Sequence, residues 1–507
     1  MKKVVYLVIL LTAGVLSACK KESKPPVTPP TDTVVVIPPT RFELTKDSIF
    51  LYAKESYLWN EAIPDSATFK PRKFTGSNEL AALQKEVDAI SQYKINPSTG
   101  KPFEYYAPQP GASKYSFIDD GSTSGGLGGA AGDFGFEPRY AFDDNLYIKY
   151  VYPNSPADNA GIKRGYKVVR LNGHTDFDPS VSANIDAIVD GFYSEDHIDI
   201  TLEKPDGTNL DASFNTAEYT INPVLTYKVI PAGSKKVAYM VFNSFTSLAN
   251  SKPKIDQAFN YFTANGATDL VVDLRYNGGG YTATAEYISD LIVPAAKSGT
   301  LMYTYFFNQS MQDGIFPLLN KNVFDNQLAP GDFKPENNRT LFDKEGSFNP
   351  SKVVFILTGG SASASELLIN NLLPHMDVKI VGEPSYGKPV GFFAIPIDKY
   401  ELYLAQFSTK NSQNKGEYYA GMVPGSSDFP GKETDDDVTK DFGNPEELSL
   451  AAALNYISTG DFVAVSNRTK KINTTRVLSL DQLRVLGLKT ENPKRFKGMI
   501  RNEIKKH

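Results

Sequence analysis

The feature that most constrains the fold is a regular alternation of strand-like and helix-like segments after Pro223. Apolar, strand-like runs at 236–245, 269–275, 352–360 and 377–383 are separated by segments with helical spacing near 252–266, 281–292 and 364–373. Chains that alternate in this way form a sheet that contains parallel strands and is covered by helices. The pattern therefore predicts an α/β core over residues 223–460.

The N-terminus has the layout of a secretory signal. Lys2 and Lys3 precede an apolar run that is too short to span a bilayer, and the run ends in "LSAC". These four residues resemble a bacterial lipobox, which implies a signal peptide over 1–18 and lipidation of Cys19, the only cysteine of the 507-residue chain. Residues 19–40, rich in Pro and Thr, are expected to form an extended tether to a membrane.

The rest of the chain divides into further predicted domains. Helical spacing over 41–110 predicts a small helical N-terminal domain, and strand-like runs over 115–222 predict a β-rich domain. Residues 306–350 are polar and loop-like, and residues 461–507 form a C-terminal tail with one helix. We expect the basic residues of this tail and the acidic run Asp435–Asp437 to be solvated. The net charge of −5 gives no reason to expect nucleic acid as a partner.

The β-rich domain contains "SPADNAGIKRGYKVVRLNG" at 155–173, which resembles a stretch of PDZ domains. The resemblance implies that an extended peptide adds to a sheet edge while a loop of backbone amides holds its terminal carboxylate. The matching loop residues are Phe134, Gly135 and Phe136. Asp133 departs from the family, because a glycine is common at that position.

The most suggestive local motif is "GGSASASELLINNLL" at 359–373, where a buried-type strand turns into a helix. A serine at such a turn would lie at the carboxyl edge of the sheet, close to free helix N–H groups that suit an oxyanion. Ser363 and Glu366 also fit a capping box, in which the serine only caps the helix. By itself the motif favours the cap over the nucleophile.

A nucleophilic serine needs a base, and the four histidines are poorly placed. His375 lies twelve residues beyond Ser363 along a predicted helix, about 18 Å away; His174 and His197 belong to the β-rich domain, and His507 ends the chain. Lys388 follows the strand-like run at 377–383 and is flanked by aromatic residues, so burial could lower its pKa enough for it to act as a base. No metal-binding motif is present, and no cofactor is expected.

"SASASE", "YGK" and the "DLRYNGGG" run at 273–280 together resemble the tail-specific or C-terminal processing proteases, over about residues 115–457. The resemblance implies a ClpP/crotonase-like core with a mixed sheet and an inserted PDZ-like domain. It also implies that Ser363 is the nucleophile and Lys388 the general base, with the amides of Gly279 and Ala364 forming the oxyanion hole. Phe392 stands where the family commonly has a glutamine that orients the lysine.

These features predict a lipid-anchored serine endopeptidase of the cell envelope, whose PDZ-like domain recruits protein or peptide substrates. The tether and helical domain resemble those of Bacteroidetes-type lipoproteins, which implies the outer membrane and a position facing the periplasm or the cell surface. Two alternatives stay open: a non-catalytic peptide-binding scaffold of the same fold, and a serine-lysine amidase or esterase. The substrate and the oligomeric state are not predicted.

Overall fold

The computed structural model describes residues 38–462, 478–493 and 495–501. The described residues from Arg41 onward belong to one compact unit. The predicted signal peptide, Cys19, most of the tether and His507 lie outside the described residues. Within them, no helix combines the length and the hydrophobicity that a membrane crossing requires.

A six-stranded mixed sheet forms the centre of the fold. Its strands, in spatial order, are Val224–Ala232, Lys235–Phe242, Asp269–Asp273, Lys352–Leu357, Asp377–Gly382 and Gly431–Glu433. The first two strands are antiparallel, and every later neighbour is parallel. The predicted α/β fold class with a mixed sheet is confirmed.

Both faces of this sheet are covered because its strands carry apolar residues on both sides. On one face, Met240, Val272 and Phe355 pack in the main hydrophobic core, to which the covering helices Leu248–Ala264, Thr282–Ile292 and Ala364–Leu372 contribute. On the other face, Tyr239, Val271 and Val354 pack with the helix Leu448–Thr459. The strand ends that carry the predicted site residues are therefore fixed from both sides.

Smaller elements surround the central sheet. Helices Arg41–Ser56, Ser66–Phe69 and Glu79–Ser91 lie at the N-terminal end, followed by the strand pair Ile95–Asn96 and Lys101–Pro102. A four-stranded sheet contains Arg339–Leu341, Leu301–Phe307, Phe407–Asn411 and Val390–Gly391, and a three-stranded sheet contains Ile395–Ile397, Tyr400–Tyr403 and Phe117–Asp119.

The polar segment 306–350 is more ordered than the sequence predicted. It contains helices Gln309–Gln312 and Pro317–Asn322 and the strand Arg339–Leu341. Glu55 of the first helix accepts hydrogen bonds from the amides of Leu318 and Leu319. The expectation of a loop was wrong because the segment's partners are distant in sequence, and local composition does not reveal them.

The β-rich region forms a five-stranded antiparallel sheet. Its strands, in order, are Phe136–Tyr140, Leu146–Val151, Lys167–Leu171, His197–Glu203 and Asn209–Asn215, with helices Pro156–Asn159 and Ser182–Tyr193 packed on them. The helix Ser122–Leu127 precedes this sheet, and Ala130–Ala131 pairs with Tyr219–Thr220. The domain limits and the PDZ-like assignment stay predictions.

The described part of the C-terminal tail is packed into the protein. After the helix Leu480–Lys489, the strand Gly498–Ile500 pairs in parallel with Gly279–Tyr281. Arg495 and Lys497 have side chains that are only 10% and 13% exposed, and Arg501 is buried. The expectation of a solvated basic tail was wrong for these residues. Arg495 and Arg501 bind Glu137 and Asn338, which are distant in sequence, and Lys497 pairs with the nearby Glu491.

The acidic run at 435–437 was also misinterpreted as solvated. The Asp436 side chain is 1% exposed and forms ion pairs with Arg139, Arg164 and Arg275 at 3.2, 2.9 and 2.9 Å. These three cations hold the pKa of Asp436 far below its usual range against the effect of burial. Arg139 and Arg164 belong to the β-rich region, and Arg275 follows a strand of the central sheet. Asp436 therefore joins the two parts of the fold.

We expect Asp436→Asn to lower the free energy of unfolding by about 3 kcal/mol or more, because it leaves three buried guanidinium groups undercompensated. Urea denaturation checks this. Asp437→Asn is the matched control, because its carboxylate accepts exposed hydrogen bonds from Thr439, two positions further on. Equal urea midpoints for the two variants would show that Asp436 does not stabilise the contact between the β-rich region and the central sheet.

Candidate active site

The turn between the strand Lys352–Leu357 and the helix Ala364–Leu372 is fixed by the outer two serines of the triplet. Ser361 Oγ donates to the carbonyl of Leu274 at 2.8 Å and accepts from the amide of Thr358 at 3.0 Å. Ser365 Oγ donates to the carbonyl of Asn277 at 3.0 Å. Both serines therefore attach the turn to the end of the neighbouring strand.

The middle serine, Ser363, is in a different state. Its φ of 58° and ψ of −103° are unusual for a non-glycine residue, and such strain persists only where the surroundings impose it. It is fully buried, and its Oγ has no hydrogen-bond partner among the described residues. Ser363 and Glu366 have the arrangement of a capping box, in which the Ser363 amide donates a 2.7 Å hydrogen bond to the Glu366 carboxylate. The Ser363 hydroxyl, however, accepts no hydrogen bond of normal geometry from the helix in return.

The carboxylate of Glu366 accepts hydrogen bonds from the backbone amides of both predicted catalytic residues. Besides the Ser363 amide, it accepts hydrogen bonds from the amides of Gly387 and Lys388 at 2.8 and 2.9 Å and from Ser385 Oγ at 2.5 Å. Burial raises the pKa of Glu366, although these donors oppose the rise. From the sequence, Glu366 was considered only as part of a helix cap. No local signal indicated that its carboxylate binds the loop at 385–388.

Lys388 is fully buried, and its amine is surrounded by backbone and aromatic groups. Nζ donates to the carbonyl of Lys497 at 2.7 Å and to that of Tyr115 at 3.2 Å, and it lies 4.2 Å from the centroid of the Phe392 ring. Burial lowers the pKa of Lys388 to about 7, although the negative charges of Glu104 and Glu366 favour the protonated form. An amine with this pKa is partly neutral near pH 7 and can accept a proton.

Ser363 Oγ and Lys388 Nζ are not hydrogen-bonded to each other, because the amine is directed to the two carbonyls instead. Their backbones are nevertheless held by the same carboxylate. The Ser363–Lys388 pairing stays a prediction.

The predicted oxyanion-hole residues are neighbours in space. A Cβ built on Gly279, whose φ is +106°, would lie 3.1 Å from the amide nitrogen of Ala364. The Gly279 amide already donates to Asn277 Oδ1 at 2.9 Å. In this conformation the Gly279 amide, one of the two predicted oxyanion-hole donors, is therefore already hydrogen-bonded to the Asn277 side chain.

The loop at 134–136 opens onto a cleft of about 500 Å³, which also includes Gly278 and Gly279. Phe134 and Phe136 are buried, so the loop presents backbone to the cleft. The Gly135 amide donates to Asp133 Oδ1 at 2.8 Å, and Tyr219 donates to the same oxygen at 2.7 Å. The Gly135 amide, which would bind a peptide carboxylate, is therefore already hydrogen-bonded to the carboxylate of Asp133.

The three described histidines have partners elsewhere: His174 contacts Asn184, His197 contacts Asn215 and His375 contacts Ser412. Among residues 38–462, 478–493 and 495–501, no group of three or more His, Cys, Asp or Glu side chains is arranged to hold a metal ion.

Comparison with known proteins places this geometry in context. Residues 236–420 match the model of peptidase family S41. A carboxyl-terminal-processing protease of Picosynechococcus is 25% identical over 294 residues, which are 56% of this chain and 62% of that protein. The carboxy-terminal processing protease CtpA of Bacillus subtilis is 22% identical over 48% of this chain and 45% of its own length. The match thus spans less than two thirds of these relatives.

The fold also resembles solved structures. A Bacteroides fragilis protein assigned to the S41 proteases superimposes with a TM-score of 0.54 at 21% identity, over 82% of this chain and 97% of the other. At this identity the likeness concerns the fold. The chain therefore contains a peptidase family S41 domain at residues 236–420 and is similar in sequence to the carboxyl-terminal processing proteases.

Proposed function

We propose that this protein is a serine endopeptidase with a Ser363–Lys388 dyad. The observation that carries the proposal is the buried carboxylate of Glu366, which accepts hydrogen bonds from the amides of both Ser363 and Lys388. The Ser363 hydroxyl is buried and has no hydrogen-bond partner among the described residues, and the pKa of Lys388 is lowered to about 7. A purely structural turn has no need for an unpaired buried hydroxyl, which costs about 1–3 kcal/mol. The match of residues 236–420 to the model of peptidase family S41 supports the same serine-peptidase chemistry.

In the proposed reaction, neutral Lys388 takes the proton of Ser363 as Oγ attacks the peptide carbonyl. The amides of Ala364 and Gly279 stabilise the resulting oxyanion, after the Gly279 amide leaves Asn277. Lys388 then gives the proton to the leaving amine as the C–N bond breaks, which leaves an acyl-serine. A water molecule, deprotonated by Lys388, attacks this ester, and the proton returns to Ser363 Oγ.

Phe392 replaces the glutamine that commonly orients the lysine in similar proteases. The Tyr115 carbonyl, which accepts a hydrogen bond from Lys388 Nζ, is a polar partner of the amine in place of the glutamine. The Phe392 ring adds a cation–π contact at 4.2 Å while the amine is protonated, and it contributes to the dry environment that lowers the pKa. The substitution is therefore compatible with a working base.

We expect Ser363→Ala and Lys388→Met each to lower kcat/KM for a peptide substrate by about 10²-fold or more, as for the loss of a nucleophile or a general base. Ser363→Ala should also abolish covalent labelling by a fluorophosphonate probe. Lys344→Met is the matched control, because burial also lowers the pKa of Lys344, to about 8, although Lys344 is only partly buried. Absence of labelling under every condition would favour the non-catalytic scaffold.

The same assay has a defined pH dependence. Below pH about 7 Lys388 is protonated and cannot accept a proton, so kcat/KM should fall about tenfold per pH unit there and reach a plateau above pH 8. A flat profile between pH 5 and 9 would contradict Lys388 as the base.

We further propose that the region 115–222 is a PDZ-like domain that recruits an extended segment of the substrate, upstream of the catalytic region 223–460. The support is the cleft shared by the 134–136 loop and the Gly278–Gly279 turn. Because Asp133 occupies the Gly135 amide, the loop should prefer an internal segment over a free terminal carboxylate.

Asp133→Gly should therefore raise the affinity for peptides that end in a free carboxylate relative to the same peptides with an amidated end, by about tenfold for one charge-assisted hydrogen bond. Fluorescence anisotropy in a Ser363→Ala background measures this. Asp206→Gly is the control, because Asp206 is an aspartate of the same region that hydrogen-bonds to Thr208 beside it. An unchanged preference would show that Asp133 does not mask the loop.

For location, we propose a lipid anchor at Cys19 on the outer membrane, facing the periplasm or the cell surface. The support is the lipobox-like "LSAC" after a short apolar run and the Pro- and Thr-rich stretch that follows it. Cys19→Ser should move the expressed protein from the detergent phase to the aqueous phase in a Triton X-114 separation. Retention of the variant in the detergent phase would contradict a lipid at this residue.

A further inference from the structure

The C-terminal segment, residues 495–501, forms an additional strand between Gly279–Tyr281 on one side and Phe392 on the other. On one side the Gly498 amide donates to the carbonyl of Gly278 at 2.9 Å, and Gly498–Ile500 runs parallel to Gly279–Tyr281. On the other side the Phe392 amide donates to the Met499 carbonyl, and the Arg501 amide donates to the Phe392 carbonyl, both at 3.0 Å. Both edges of the segment are thus paired.

The segment also contacts the proposed catalytic groups. Its Lys497 carbonyl accepts the 2.7 Å hydrogen bond from Lys388 Nζ. The Gly498 carbonyl approaches Gly279 so closely that a Cβ on Gly279 would lie 2.2 Å from its oxygen. The same Cβ would lie 3.1 Å from the Ala364 amide nitrogen. The backbone at 497–498 therefore lies against both the proposed base and the proposed oxyanion hole.

Glycine is required at position 498 in this arrangement. A Cβ there would lie 2.6 Å from Cζ of both Phe392 and Phe496, and Phe392 is fully buried. The next residue, Met499, is fully buried, and a Cβ on Gly391 would lie 2.5 Å from its Cγ. The groove thus fits a glycine followed by an apolar residue.

Cationic side chains hold the two ends of the segment. Arg495 forms an ion pair with Glu137 of the β-rich region at 3.0 Å. Arg501 donates to Asn338 Oδ1 at 2.8 Å, and its guanidinium lies 4.2 Å from the centroid of the Tyr305 ring. These contacts favour retention of the segment while the site is otherwise unoccupied.

We propose that the groove between Gly279–Tyr281 and Phe392 is the substrate-binding site for an extended peptide with glycine at the position of Gly498, and that the chain's own segment 495–501 occupies it as an internal competitor. That the segment inhibits the protein rests on the proposed peptidase function. That the segment occupies the groove can be tested by peptide binding alone. A tethered segment competes at an effective concentration of about millimolar, so substrates must displace it.

The test uses a Ser363→Ala chain and a fluorescein-labelled peptide with the sequence RFKGMIR, capped at both ends. Adding Gly498→Val to the chain should expel the segment and tighten binding of the peptide by about tenfold or more, because the internal competitor is lost. Gly487→Ala in the same background is the control, because the Cβ of an alanine there has only ordinary contacts. The peptide RFKVMIR should not bind. Equal affinity with and without Gly498→Val would overturn the proposal.

A second variant does not depend on the folding of the valine variant. Tyr281 and Ile500 are paired Cα partners, so Tyr281→Cys with Ile500→Cys, in a Cys19→Ser chain, can be joined by a disulfide. The oxidised chain should bind no peptide, and reduction should restore binding. Equal binding in both redox states would overturn the occupied groove. Peptide binding that follows this pattern, together with absence of fluorophosphonate labelling in the chain that retains Ser363, would contradict the proposed peptidase activity alone.

Discussion

The site depends on one buried carboxylate. Glu366 is the first acidic residue of a helix, where an anion is favoured by the helix dipole, and its oxygens accept hydrogen bonds from three backbone amides and one hydroxyl. These donors come from two segments, one ending in Ser363 and the other in Lys388. Without this acceptor, the amides of both segments would be buried without partners. The distance between the two proposed catalytic residues is therefore set by Glu366 rather than by direct contact.

In the observed conformation, three groups with proposed functions are satisfied from within the chain. Lys388 donates to the Lys497 carbonyl, Gly279 to the Asn277 side chain and Gly135 to the Asp133 carboxylate. Buried donors need acceptors whether or not a substrate is present, so a site built from such donors requires internal substitutes in its resting state. Ser363 Oγ is the exception, because it has no partner among the described residues.

Much of the fold could be predicted from the sequence because its signals are local. The alternation of buried strands and helices after Pro223 determines the covered sheet, and the turn "GGSASASE" places a serine at the start of a helix. Asp436 shows where this reasoning fails. Its neighbours in sequence are acidic and polar, which is typical of a solvated loop, but its three arginine partners are more than 150 positions away. The same reason explains why Arg495 and Arg501 were misjudged, because their partners Glu137 and Asn338 are also distant in sequence.

The sequence by itself determined which chemical groups are available: a serine at a strand-to-helix turn, a lysine in an aromatic setting, a glycine run and no well-placed histidine. Only the tertiary structure decided that the Ser363 hydroxyl makes no cap hydrogen bond, that Glu366 binds both segments and that residues 495–501 lie in the groove. The physical reason is that hydrogen bonding, burial and strand pairing depend on distances between groups. Those distances are set by the packing of segments far apart in the chain.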